Sequence, residues 1–116
     1  MSANAYFDEL ERALARPDAD QMRQQLLAYA DHHTQGAGDW PDELAGDFEE
    51  IISCHFGDPD KALAYVVLAA SQSDDAGFLG LMACGNLEDV LRDPSPHFLE
   101  RIVVEARKSA RFRWLL

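Results

Sequence analysis

The chain has 116 residues, 47% of them apolar, which fits one folded domain and excludes a disordered chain. Its 10 basic and 21 acidic residues give a net charge of -11, which argues against a nucleic acid as partner. Two cysteines cannot form a disulfide framework, and the longest apolar run, residues 62–70, is too short to cross a bilayer. Because no stretch has the pattern of a signal peptide, we expect one domain over residues 1–116, in a reducing cytoplasm and without a membrane partner.

Residue usage predicts an all-α fold. The chain contains 17 alanines and 14 leucines, whereas valine, isoleucine and threonine together occur 9 times. Small and unbranched residues lose little freedom in a helix, while strands favour β-branched ones. The expected architecture is therefore a single compact domain of antiparallel helices.

Prolines and short polar residues mark the predicted helix ends. Asp18, Asp58 and Ser95 each stand where a side-chain oxygen can cap a first turn, and Pro41 suits a first helical position. Taken in chain order, the predicted helices span 3–15, 18–33, 41–56, 59–71, 73–85, 87–92 and 96–108, followed by a short turn from 109.

The helix over 59–71 is apolar on nearly all sides, which predicts a central, buried helix with Val67 and Leu68 almost fully covered. Gly77 and Gly80 are interpreted as sites where a neighbouring helix approaches closely. Helical spacing also predicts a set of inward apolar side chains on the other helices, namely Leu14, Leu27, Ile52, Phe98, Leu99, Ile102, Val103 and Ala106.

The segment Ala83–Leu91 reads Ala-Cys-Gly-Asn-Leu-Glu-Asp-Val-Leu. We expect Gly85 to end one helix and Asn86 to begin the next, with two acids in its first turn. The segment resembles an A-x-G-P-L-E-D-L-L element of a family of small, acidic, all-helical bacterial proteins of unknown function. The C-terminal residues resemble the same family's F-I-x-R-I-E-x-x-A-R helix and D-P-x-F-R-x-x-L ending, with departures at Asn86 and Ser109. This resemblance implies a helical domain and assigns no catalytic residue.

The four histidines and two cysteines lack the spacing of a metal site or a catalytic centre. Cys54 and His55 are adjacent on a predicted helix, so their side chains point in different directions. Cys54 and Cys84 are interpreted as small buried hydrophobes, and burial should raise the pKa of the Cys54 thiol. We therefore expect no metal, no cofactor and no catalytic residue.

The charge is concentrated between Gln24 and Asp60, where nine acids occur without one lysine or arginine. Helix-start chemistry and solubility are one interpretation, and capture of a protein with a basic surface is the other. We expect the mutual repulsion of these acids to be relieved by solvent, salt, the C-terminal arginines or a basic partner. Trp40 is either an apolar anchor of that contact or a hydrophobic staple before the next helix. The candidate partner-binding residues are Trp40, Glu43, Asp47, Glu49 and Glu50, with the acids on a solvated helical face.

The function predicted from these observations is that of a non-catalytic protein-interaction module with an acidic face. The alternative is a small enzyme or ligand-binding helical domain with a carboxylate-lined pocket. Phe112 and Trp114, which lie among C-terminal arginines, are expected to pack against the domain or a neighbouring copy, with the arginines facing acids. A homodimer through the C-terminal segment therefore remains open.

Overall fold

A computed structural model of the chain describes residues 9–34, 41–54, 58–92 and 95–115. Every regular element in these ranges is helical, which confirms the all-α prediction. No helix among these residues is long and apolar enough to span a membrane. The α-helices are α1 (Glu9–Leu14), α2 (Ala19–Thr34), α3 (Asp42–Ser53), α4 (Pro59–Gln72), α5 (Ala76–Met82), α6 (Glu88–Leu91), α7 (Pro96–Lys108) and α8 (Ala110–Leu115).

Two of the predicted caps form as expected. The Asp58 carboxylate accepts a hydrogen bond from the Lys61 amide at 3.0 Å, and the Ser95 hydroxyl accepts one from the Phe98 amide at 3.1 Å. Each cap is followed by a proline in the first turn, where a missing N–H costs nothing. The predicted starts of α4 and α7 are confirmed.

The other helix starts differ by a few residues from the prediction. The first described helix begins at Glu9, and the predicted residues before it lie outside the described ranges. The third helix begins at Asp42, one residue after Pro41. The fifth begins after Asp75, whose carboxylate accepts from the Phe78 amide at 3.1 Å, rather than at Ser73.

The helix α4 is the centre of the domain. Its residues Ala62 to Ala70 are all buried, and Leu68 has no exposed surface. It contacts α1, α2, α5, α6 and α8, which surround it because no face of it is polar. The radius of gyration, 13.9 Å, is close to the roughly 13 Å of a compact domain of this length. The prediction of a buried central helix is confirmed.

The predicted helix break at Gly85 and Asn86 is wrong. The chain continues from α5 through one π-helical turn, Ala83–Leu87, directly into α6. Asn86 is buried, and its side-chain amide donates to the backbone carbonyl of Ile51 at 2.8 Å. That carbonyl belongs to the last turn of α3, where it lacks a helical partner. Asn86 therefore supplies a donor to another helix instead of capping its own.

Two apolar residues of α7 face away from the core, contrary to the prediction. Leu99 is 44% exposed and Val103 is 40% exposed. The inward face consists of Phe98, Ile102 and the buried Glu105, and the helical rotation places positions 99 and 103 on the other side. The inward stripe was drawn too wide because it counted hydrophobic residues on both flanks of the helix.

Other inward predictions are also corrected. Leu27, Leu14 and Ile52 are exposed, as is Cys84 in the π-helical turn. Gly80 has open space where a Cβ would stand, so no helix approaches it closely. At Gly77 a Cβ would lie 3.2 Å from the Asp75 carboxylate and 3.4 Å from the His33 ring, so side chains, not another backbone, fill that position. These outcomes share one reason, since apolar spacing fixes a face only within a turn's width.

The C-terminal helix α8 docks through one aromatic residue. Phe112 is buried, as predicted, whereas Trp114 is 58% exposed and does not pack against its own domain. Arg113 donates to the carbonyl of Ala106 at 3.3 Å, where an acidic partner was expected. The contact of Trp114 with a neighbouring copy remains a prediction.

Candidate functional site

The outer face of α3 carries exposed carboxylates. Asp42 and Glu43 lie in its first turn, where the helix dipole favours negative charge, and both are exposed. Glu49 is exposed two turns later and accepts a hydrogen bond from the Ser53 hydroxyl at 2.7 Å. Gly46 lies between them, with no atom within 4 Å of the position of a Cβ. The outer surface of α3 is therefore acidic, free of basic side chains and low in relief at its middle.

Two of the predicted site residues lie on the inner flank of the same helix. Asp47 and Glu50 are half-buried and accept hydrogen bonds from the side-chain amide of Gln25, at 3.1 and 3.3 Å. The prediction that all four acids of α3 are solvated is therefore wrong for this pair. Gln25 is itself buried in α2, between residues of its apolar face. Its position on that face was the sequence signal that could have revealed a buried polar contact.

The contact between Gln25 and α3 continues into the core. The Tyr65 hydroxyl of α4 donates to the side-chain carbonyl of Gln25 at 2.5 Å. Burial is the main reason that the pKa of Tyr65 is raised, and nearby Glu50 adds to the shift. The phenol therefore stays protonated and remains a donor. A continuous chain of hydrogen bonds joins α2, α3 and α4 around one buried amide.

Lys61 neutralises the end of this polar chain. Its ammonium group pairs with Glu50 and lies 3.3 Å from a carboxylate oxygen of Asp18. Burial lowers the pKa of Lys61, but its bonds to Glu50 and Asp18 outweigh burial and raise the pKa overall. The hydrogen bond from Arg16 to Asp18, 2.9 Å long, lowers the pKa of that carboxyl. Both groups are therefore held in their charged forms.

Basic side chains from other parts of the sequence relieve part of the acidic segment. Lys61 pairs with Glu50, Arg101 pairs with Asp60, and Arg16 lies 4.0 Å from Asp58. The prediction assigned this relief to solvent, salt, the C-terminal arginines or a partner. Arg101, from α7, belongs to that C-terminal set, but Lys61 and Arg16 do not. Folding has therefore already neutralised the inner acids, and the outer face of α3 keeps its charge.

A second ion cluster, which the sequence did not predict, fixes α1 against α7. Arg101 donates to both carboxylate oxygens of the buried Glu9, at 2.8 and 2.9 Å. The hydrogen bonds from Arg101 to Glu9 are the main reason that the pKa of the guanidinium is raised, and Asp60 contributes less. A cavity of about 280 Å³ adjoins this cluster and is also lined by Arg12 and Arg16. The two partners are 92 positions apart, so no local pattern could have linked them.

A larger cavity lies between α1, α4, α7 and α8. It has a volume of about 330 Å³, and its wall combines apolar side chains with the buried carboxylate of Glu105. Lys108 and two serine residues complete the lining. The remaining wall comes from Leu10, Val67, Ala70 and Phe112.

The thiol and imidazole groups do not assemble into a reactive centre within the described residues. Burial raises the pKa of the Cys54 thiol to about 11, as expected, so that the thiol is protonated near neutral pH. His55 lies outside the described residues. In the described ranges, no three side chains of the His, Cys, Asp and Glu types come together as a metal site.

The predicted site is thus divided by the fold. Glu43 and Glu49 share the exposed surface of α3, Asp47 and Glu50 join the inner hydrogen bonds, and Trp40 lies outside the described residues. No curated protein and no solved structure matches the chain. Residues 39–116 match the description "Family of unknown function (DUF6869)". This match covers α3 to α8 and more than half of the chain, and the protein therefore belongs to this family of unknown function.

Proposed function

We propose that the protein is a non-catalytic interaction module that binds a protein with a basic surface through the outer face of α3. The observation that carries this proposal is the exposure of Asp42, Glu43 and Glu49 on one helix without a basic side chain. A concentrated surface charge of one sign attracts and orients a partner of the other sign. A reducing cytoplasm is the compartment proposed for this contact, on the basis of the two free cysteines.

The shape of the α3 surface supports this proposal independently of its charge. Gly46 lies between the exposed acids and has open space around the position of a Cβ. A glycine inside a helix costs about 1 kcal/mol relative to alanine, and no contact within the domain requires one here. A partner backbone that approaches α3 closely would require it. Ile52, exposed one turn after Phe48, adds an apolar contact near Glu49, and Trp40 is the proposed anchor before the helix.

The partner-binding acids are therefore proposed as Glu43 and Glu49 for direct contact. Asp47 and Glu50 contribute indirectly, because their bonds to Gln25 hold α3 in place. Reversing Asp47 would break an internal hydrogen bond, so the sharper test reverses the two exposed acids instead.

The experiment compares three proteins in a pull-down followed by titration. The test variant is Glu43→Lys/Glu49→Lys, and the matched control is Glu11→Lys/Asp20→Lys, in which exposed acids of α1 and α2 are reversed. Each pair changes the net charge of -11 by the same amount. We expect a basic protein that binds the wild type and the control, and that binds the test variant at least about tenfold more weakly.

Salt gives the second measurement. The association rate of the wild type with that protein should fall by about tenfold or more between about 0.1 M and 1 M salt, because screening shortens the reach of exposed charges. Equal binding by the test variant and the wild type, or equal losses in the test and control variants, would contradict an α3 contact.

A second candidate function rests on the cavity beside Glu105. A volume of about 330 Å³ is at the lower end for small-ligand sites, and the wall offers a carboxylate, an ammonium group and apolar side chains. Such a wall suits a small zwitterionic molecule of amino-acid size. The test measures the unfolding temperature with a panel of free amino acids, using the wild type and Glu105→Gln. A rise in the wild type that disappears in the variant supports binding, and no rise with any member of the panel contradicts it.

A further inference from the structure

The exposed side of α7 has a composition that differs from the rest of the acidic surface. Pro96, Leu99, Glu100, Val103 and Arg107 are all exposed. At 100° per residue they fall within an arc of about 100°, opposite the buried face of the helix. Leu99 and Val103 are one turn apart, at 44% and 40% exposure, and form the apolar centre of this arc. We call these five residues the α7 face.

The charges on the α7 face are complementary to those of a second copy of the same face. Glu100 lies towards the N-terminal end and Arg107 towards the C-terminal end, seven positions or about 10 Å apart along the helix. If two such helices packed antiparallel, each Glu100 would lie opposite Arg107 of the partner subunit. A parallel pair would instead place like charges together. An interface with two-fold symmetry must be complementary to itself, and this arrangement is.

From this juxtaposition we propose that the α7 face binds the α7 face of a second copy, forming an antiparallel, two-fold symmetric homodimer. The symmetry axis passes near Val103, midway between Glu100 and Arg107. Leu99 and Val103 of both copies form the apolar centre, and two reciprocal ion pairs flank it.

The charge distribution of the whole chain favours this location. Two copies of a protein with a net charge of -11 repel one another, and that repulsion is smallest where the surface is least acidic. Residues 94–116 contain five basic residues and two acidic ones, of which Glu105 is buried. The α7 face lies in this region, apart from the acids of α3, so the homodimer goes beyond the proposed function and leaves the α3 surface available.

The contact is small, so we expect a reversible dimer with a dissociation constant in the micromolar range rather than an obligate one. The test is sedimentation velocity over a wide concentration range at physiological salt. The wild type should shift from monomer to dimer as the concentration rises. Val103→Glu should remain monomeric, whereas Leu27→Ser, which removes an exposed apolar residue of α2, should dimerise like the wild type.

A charge exchange tests the antiparallel arrangement itself. Glu100→Arg alone and Arg107→Glu alone should each weaken dimerisation by about tenfold, because each change puts like charges opposite one another twice per dimer. The double variant Glu100→Arg/Arg107→Glu should recover most of the loss. Far-ultraviolet circular dichroism of each variant checks that it is folded. A wild type that stays monomeric at all concentrations, single reversals without effect, or a double variant that is no better than the singles would overturn the proposal.

Discussion

The start of α4 and the turn Ala83–Leu87 look alike in sequence but fold differently. In each, a short polar side chain precedes an acidic residue and helical residues, a pattern that predicts an N-cap. Asp58 does cap α4, with its carboxylate on the Lys61 amide. Asn86 does not cap α6, because the helical backbone runs through it and its amide donates to Ile51 on α3.

The difference lies in what surrounds each side chain. Asp58 is exposed, so its own helix offers the nearest unsatisfied donors. Asn86 is 4% exposed and lies beside the end of another helix, whose carbonyl group would otherwise lack a partner inside the protein. The extra residue of the π turn changes the rotation of the following positions. As a result, Asn86 and Leu87 both reach the interior.

The largest effect is expected in the part of α4 that both regions depend on. Leu68→Ala should lower the free energy of unfolding by about 2–5 kcal/mol, because Leu68 is fully buried and the cavity left behind has several helices around it. Urea unfolding followed by circular dichroism measures this loss. A loss below about 1 kcal/mol would mean that α4 is not the packed centre of the domain.

Asn86 provides the sharpest test of the comparison. Asn86→Ala should cost about 1–3 kcal/mol, because the carbonyl of Ile51 loses its amide donor inside the protein. Asn86→Asp discriminates between the two roles, since aspartate is as good an N-cap as asparagine but cannot donate to a carbonyl when ionised. We expect the aspartate variant to be at least as destabilised as the alanine variant. Wild-type stability in Asn86→Asp would instead indicate a capping role.

The cap of α4 should respond in the opposite way. Asp58→Ala should cost about 0.5–2 kcal/mol, because the Lys61 amide loses its acceptor, while Asp58→Asn should keep most of the stability. Thermal and urea unfolding of both variants measure the difference. If the asparagine variant lost as much as the alanine variant, the charge of Asp58 and its approach to Arg16 would matter more than the cap.

The smallest effect is expected at Gly85, and it should be a gain. The backbone there is not in the left-handed region, and a Cβ would have no atom within 4 Å. Gly85→Ala should therefore raise stability by about 0.4–1 kcal/mol through the lower entropy of the unfolded chain. A helix that ended at Gly85 in a left-handed conformation would lose stability with alanine instead. The unfolding free energy of this variant thus distinguishes a continuous turn from a break.

The sequence by itself determined the features that depend on composition and on neighbouring residues. The abundance of alanine and leucine predicted helices, the caps at Asp58 and Ser95 formed, and a stretch without a polar face became the central helix. Each of these depends on interactions within about one turn of the chain, or on burial that no alternative face could avoid. Such interactions are present in the sequence pattern before any other element is placed.

Only the tertiary structure decided which side chains meet across helices. The bond from Asn86 to Ile51, the two bonds from Arg101 to Glu9, and the outward position of Leu99 depend on how helices are rotated and packed. The acids of α3 illustrate the same limit, since Glu43 and Glu49 are exposed while Asp47 and Glu50 face Gln25. Adjacent positions on a helix differ by 100° in direction, so a small rotation decides whether a carboxylate faces solvent or a buried amide. That rotation is set by the packing of the whole domain, which no local pattern contains.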